Sequence, residues 1–184
     1  MESVRVEDLI ERSKKNDTEA FRLLVVEYQP LVFRIAFRLL CNEDEAKDIV
    51  QETFIRVWLH LNQYKKQFRF STWIYKIACN LCYDQLRTAD RFQRGFQMDT
   101  DLPNLNILSG ENIEQSVINK ELKDLFLHLT SNLTPKQKLV FTLRDIEEFD
   151  LEDIKEITGM SGAKIKSNLY LARQHIRNKM NKII

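Results

Sequence analysis

The stretch FRFSTWIYKIACNLCYDQLR, running from Phe68 to Arg87, carries a helical repeat with two chemically different sides. At 100° per residue, Ile74, Ile77, Ala78 and Leu81 fall on one face. Lys76, Asn80, Tyr83 and Arg87 gather on another, within an arc of about 60°. Ser71 is a good N-cap for such a helix. Just ahead of it, Tyr64, Lys65, Lys66, Phe68, Arg69 and Phe70 make a loop of positive charges and rings. That combination suits nucleic acid: cations neutralise phosphates, rings stack on exposed bases, and an amide can read a base edge. An ordinary amphipathic helix with a solvated polar side fits the same residues.

Upstream of this stretch the periodicity stays helical. Residues 5–15 read as a short leading helix on Val6, Leu9 and Ile10, and Asp17 or Thr18 can cap a second one. Pro30 lacks an amide donor, so that second helix should break or kink before Leu31. Asn42 with Glu45 three residues later resembles a capping box, and Glu43, Asp44 and Glu45 suit the positive end of a helix dipole. This third helix should reach about Leu61 on a stripe of Ala46, Ile49, Val50, Phe54 and Val57. Four helices then form a bundle closing near Asp90.

Downstream, Gly95, Pro103 and Gly110 interrupt the pattern, and acids stand without opposing bases, which reads as a flexible acidic linker over 95–114. Helical faces resume with Val117, Ile118, Leu122, Leu125, Phe126 and Leu129. Thr134-Pro135 with Gln137 gives an N-cap, a proline at the first helical position and a capping amide. Asp150 can start a short helix that Gly159 ends, and Ser161 can cap a last, basic helix. A short helix, a tight glycine turn and a basic helix form a helix-turn-helix pattern, which a plain three-helix bundle can also show. The fold class is all-α: residues 1–94, a linker at 95–114, and a smaller unit at 115–184.

Composition narrows the function. The chain has 184 residues with only four Gly and three Pro, which favours long helices. No long apolar run and no basic-then-apolar leader is present, so a cytoplasmic protein without membrane insertion is expected. The net charge is +1 but unevenly spread. Residues 62–94 hold seven Lys or Arg against two Asp, and residues 160–184 hold six against no acid. Residues 43–52 hold five acids and 145–156 seven, each against one Lys. Two basic blocks point to two polyanion contacts.

Cys79 and Cys82 have C-x-x-C spacing but sit inside a helical pattern with no second ligand pair, so core packing is the preferred reading over metal or redox chemistry. The acids Glu43, Asp44, Asp48 and Glu52 have no His at helical spacing to complete a metal site. No phosphate loop or nucleophile motif occurs, so neither an enzyme nor a cofactor is expected.

Three segments taken together carry a resemblance: Asp48–Trp58 (DIVQETFIRVW), Phe70–Asn80 (FSTWIYKIACN), and Gly159–Ser161 (GMS) with Ile165–Arg173 (IKSNLYLAR). In this order they resemble the bacterial RNA polymerase sigma factors, and the absence of further domains resembles the small extracytoplasmic-function (ECF) group. The resemblance implies a transcription initiation factor that binds core RNA polymerase and directs it to promoter DNA. Asp48, Gln51, Glu52, Phe54 and Arg56 would dock the polymerase clamp. Tyr64, Lys65, Lys66, Arg69, Lys76, Asn80, Tyr83 and Arg87 would recognise and hold the melted −10 element. Ser161, Gly162, Ala163, Lys164, Lys166, Ser167, Asn168 and Arg173 would read the −35 element as duplex. It also implies an anti-sigma factor as partner. Two positions depart from the family pattern: Lys155 stands where a small residue is usual in the turn motif, and Gly162 opens the recognition helix. A stand-alone helix-turn-helix regulator and a small helical metalloenzyme are the alternatives; the first would bind duplex without polymerase and the second would need bound metal or turnover.

Overall fold

The computed structural model describes residues 2–95 and 125–182. Among them every regular element is helical. Helix α1 spans Glu2–Lys14, α2 Thr18–Leu40, α3 Glu43–His60, followed by a 3₁₀ turn at Leu61–Gln63, and α4 Phe70–Gly95. Residues 125–130 are helical. Helix α5 is Pro135–Phe141, which widens into a π turn at Thr142–Ile146; α6 is Leu151–Thr158 and α7 Gly162–Met180. The acidic linker and the start of the helix expected from Val117 lie outside the described residues.

The caps explain most boundaries. Asp17 accepts the amides of Glu19 and Ala20, and Asn42 those of Asp44 and Glu45. Thr134 and Gln137 close a reciprocal capping box with Pro135 in the first turn. Asp150 caps α6, Gly159 ends it at φ 66°, and Ser161 caps α7.

Two expectations change. Helix α2 runs through Pro30 as one element, so of the expected break or kink the break does not occur. The amide that Pro30 lacks would have bonded the carbonyl of Val26, and both residues are solvent-exposed, so water can take up the freed carbonyl. Helix α4 begins at Phe70, and the Trp73 amide donates to the Arg69 carbonyl at 3.2 Å. Arg69, not Ser71, therefore stands at the cap, because burial of Phe70 draws it into the first turn.

Helix α4 is the spine of the molecule. It packs against α2 and α3 on one side and against α5 and α6 on the other. Its described buried residues are consequently Phe70, Thr72, Ile74, Tyr75, Ala78, Cys79 and Cys82, a wider stripe than the expected Ile74, Ile77, Ala78 and Leu81. Ile77 and Leu81 are only half-buried. One apolar core joins the two units: Leu24, Ile35 and Leu39 of α2 belong to the same cluster as Leu143, Ile154 and Ile157.

Candidate functional site

The loop before α4 is built on rings. Phe70 is buried and meets Tyr28, Tyr64 and Trp73 at centroid distances of 5.3, 5.1 and 5.7 Å. Tyr64 is also buried, and its hydroxyl donates to the Phe68 carbonyl at 2.8 Å. Burial lifts the phenol above its ordinary range. Tyr64 and Phe70 thus brace the loop from within. Around them, Lys65, Lys66, Gln67, Phe68 and Arg69 are exposed, and Lys66 leans on Glu7 and Glu11 of α1 at 3.4 and 3.8 Å.

Between the loop and α4 lies a cavity of about 150 Å³, lined by Gln63, Tyr64, Lys65, Gln67, Phe68, Trp73 and Glu156. It offers ring edges, two side-chain amides and a lysine. Of the polar residues expected along α4, Asn80 and Arg87 are exposed, Tyr83 is half-buried, and Lys76 donates to Glu156 at 2.8 Å. The glutamines and Trp73 were not among the expected site residues; their only sequence signal was nearness to the basic loop.

On α3, Asp48, Gln51 and Arg56 are exposed and Glu52 is half-buried, with Arg56 Nε 2.7 Å from Glu52. Phe54, expected on this surface, points into the core and anchors the helix instead. Ile55 and Leu59 emerge in its place, 55 and 66% exposed. At helical spacing they share a stripe with Asp48, Gln51 and Glu52. Two large apolar side chains one turn apart on open surface are a binding signal that composition hides.

Helix α7 keeps Ile165, Ala172 and Ile176 inward. Ser161, Ala163, Lys164, Lys166, Ser167 and Arg173 are exposed, while Gly162 and Asn168 are half-covered. Asn168 donates to the Lys164 carbonyl at 2.8 Å, so its amide is turned onto its own helix. Arg173 makes a two-pronged pair with Asp145 at 2.9 and 2.5 Å, which raises the guanidinium pKa further. Tyr170, Gln174 and Arg177 extend the exposed face.

Two family models match: Sigma-70 region 2 over residues 24–92 and Sigma-70, region 4 over residues 123–176. The ECF RNA polymerase sigma-E factor of Salmonella typhimurium is 30% identical over 182 residues, which cover 96% of this chain and 94% of that one. The chain belongs to the ECF RNA polymerase sigma factors. The ECF sigma factor SigW of Bacillus subtilis is 28% identical over 179 residues, 93% of this chain and 94% of SigW. Among solved structures, CnrH in complex with the cytosolic domain of CnrY superposes with a TM-score of 0.68 at 16% identity, over 97 and 98% of the two chains. RpoE with the anti-sigma factor NepR from Bartonella quintana gives 0.63 at 21%, over 88 and 96%. Both likenesses speak to the fold.

As a sigma factor the protein is a non-catalytic initiation factor. Its helix-turn-helix is α6, the Gly159 turn and α7, which the region 4 match covers as far as residue 176. The loop and the α3 stripe lie inside the region 2 match, while the cavity also takes Glu156 from beyond it. Among the described residues of this sigma factor no group of His, Cys, Asp or Glu is placed to hold a metal, and no helix is long and apolar enough to cross a membrane.

Proposed function

We propose that this sigma factor binds core RNA polymerase through the α3 stripe, holds the non-template strand of a melted −10 element on the loop and α4, and reads a −35 duplex with α7. The observation that carries the reading is the small cavity between Gln63, Gln67, Phe68 and Trp73, edged by Lys65 and Glu156 and opening beside Asn80's helix. A base extruded from the duplex loses a few kcal/mol of stacking. Ring contact at Phe68 and Trp73 and phosphate contact at Lys65, Lys66 and Arg69 can offset that loss. The α3 stripe supplies acids around an apolar pair, a surface suited to a basic helical partner.

For α7, Ala163, Lys164 and Ser167 in its first two turns are placed for base edges, and Lys166, Arg173 and Arg177 for phosphates. The two units follow the same division: residues 1–94 for polymerase and the −10 strand, residues 115–184 for −35. Solved relatives are seen with CnrY and NepR, and an anti-sigma factor is part of the proposal here too. A cytoplasmic location follows from binding polymerase and promoter DNA.

In vitro transcription with core polymerase on fragmented genomic DNA, with start sites mapped, tests the whole reading. A shared pair of upstream elements at the starts is the expected result. Absence of specific initiation removes it.

A further inference from the structure

Lys138 is a buried cation, 9% exposed. Among the described residues its polar partner is a thiol and not a carboxylate: Nζ meets Cys41 Sγ at 4.0 Å, across 97 positions of sequence. A buried ammonium without an anion is costly, so this pairing asks for a reason. Cys41 ends α2 in the left-handed region at φ 56°, with its amide bonded to the Phe37 carbonyl at 2.7 Å, which fixes where the side chain leaves the backbone. The thiol donates to the Arg38 carbonyl at 3.7 Å and so keeps its sulfur lone pairs for the ammonium. Cys41 is 8% exposed, whereas Cys79 and Cys82 are sealed at 0%. Lys138 also lines a cavity of about 460 Å³ with Leu86, Ala89, Leu133 and Pro135, which gives a small solute a way to the pair.

We propose that Cys41 and Lys138 form an oxidative modification site, at which hydrogen peroxide joins the cysteine sulfur to the lysine nitrogen in a sulfenamide bond. In the first step the sulfur attacks one peroxide oxygen, the O–O bond breaks, and the departing hydroxide leaves as water with the thiol proton. Sulfur gives up two electrons to the peroxide and becomes a sulfenic acid. In the second step Lys138, as the neutral amine, forms an S–N bond, the S–O bond breaks, and the hydroxide leaves as water with an Nζ proton. One peroxide is thus consumed, two waters leave, and the protein loses two hydrogens. The negative end of the α2 dipole works against a thiolate at Cys41, and the ammonium that donates to its sulfur works for it. Desolvation draws Lys138 toward the amine form that the second step needs. The flexible lysine stem closes the remaining gap. Burial holds the Cys79 and Cys82 thiols protonated, so the reaction selects Cys41. The bond ties the region 2 match, which contains Cys41, to the region 4 match, which contains Lys138.

The test exposes the full chain to hydrogen peroxide and maps its peptides by mass spectrometry without reductant. The expected product is the Cys41 peptide joined to the Lys138 peptide, two hydrogens lighter than their sum and separated again by dithiothreitol. Lys138→Arg keeps a cation beside the sulfur but removes the amine nucleophile, and Lys138→Met removes both; circular dichroism checks that each variant keeps its helix content. In Lys138→Arg, Cys41 should oxidise at nearly the native rate and stop at the sulfenic acid, which dimedone traps. In Lys138→Met the same adduct should form at least fivefold more slowly. The native chain should give little dimedone adduct, because the amine reaches the sulfur first. The native chain alone is enough to overturn the proposal: no joined peptide, dimedone trapping of most of its Cys41, or a Cys79–Cys82 disulfide formed while Cys41 stays reduced would each do so.

Discussion

The side chain of Lys155 lies across Gly162: a β-carbon at Gly162 would meet Lys155 Cε at 3.1 Å and Nζ at 3.7 Å. The two departures from the family pattern are therefore one. A long side chain in the first helix of the turn motif occupies the space that a missing side chain leaves at the start of the second. Lys155 also pairs with Glu152 at 2.7 Å on the surface.

Gly162→Ala should thus be close to neutral alone. Alanine's helix preference over glycine, up to about 1 kcal/mol, is set against a shift of the flexible lysine tip and an exposed ion pair of small value. In a Lys155→Ala background the clash is gone, and Gly162→Ala should stabilise by about 0.5–1 kcal/mol. Urea unfolding of the four proteins measures the coupling, and additivity within error would mean the two residues are independent.

Capping chemistry was legible because it is local. Asp17, Asn42, Thr134, Asp150 and Ser161 each satisfy amides two or three residues away, so composition and spacing disclose them. The family resemblance rested on local motifs in order. What stayed hidden depends on partners far along the chain. Tyr75, Cys79 and Cys82 are buried because α4 is covered from two sides, and the second cover comes from residues beyond 134. The Arg38–Glu147 pair joins positions 109 apart. Pro30 misled for the opposite reason: the rule about its missing donor holds, but exposure makes the loss cheap.

Lys138 is buried where α5 meets the bundle, and its Nζ reaches Cys41 Sγ at 4.0 Å. Desolvation lowers its pKa from the usual lysine range, only partly countered by Cys41. A folded-state pKa below the unfolded one means that stability is lost as pH falls through it and is full above about 10.5. Lys138→Met keeps the shape without the charge, and should stabilise at neutral pH by about 1–2 kcal/mol. The gain should shrink toward pH 10.5 in denaturation series. A loss at neutral pH would show that the ammonium is needed where it is.

Alkaline pH acts on the other side of the ledger. Burial raises the Tyr75 hydroxyl and the Cys82 thiol to about 12, and lifts the Cys79 thiol well above its ordinary value. These groups are neutral when protonated, so the unfolded chain releases their protons first. Their contribution is complete below about pH 9 and falls as pH climbs toward 12. Each such group removes about 1.4 kcal/mol per pH unit within its own window. Tyr75→Phe should flatten the decline between pH 10 and 12, while costing some stability at pH 7 through the lost bond to Glu147. An unchanged slope would place Tyr75 outside the core.

Ile55 and Leu59 are exposed, so replacing both with serine should leave helix content and thermal unfolding nearly unchanged. Polymerase affinity should fall by about 2 kcal/mol, roughly thirtyfold in Kd, if the apolar pair sits at the centre of the docking surface. Asp48→Lys with Glu52→Lys should also weaken binding, mainly by slowing association and more so at low salt. Full affinity in both double variants removes the α3 assignment.

Arg173 separates positioning from reading on α7. Its guanidinium is held in a two-pronged pair by Asp145, across from the first turns where Lys164 and Ser167 stand. A side chain fixed this way can meet a phosphate at a set height, but it has no free edge to compare bases. Arg173→Ala should therefore weaken matched and mismatched −35 duplexes alike, and reduce the salt slope of binding by about 0.9. Ser167→Ala should instead change the ratio between them, by about 1–3 kcal/mol if one base contact is lost. Anisotropy at two salt concentrations distinguishes the two behaviours. A sequence-dependent loss for Arg173→Ala would mean that Asp145 releases the arginine to the groove when DNA arrives.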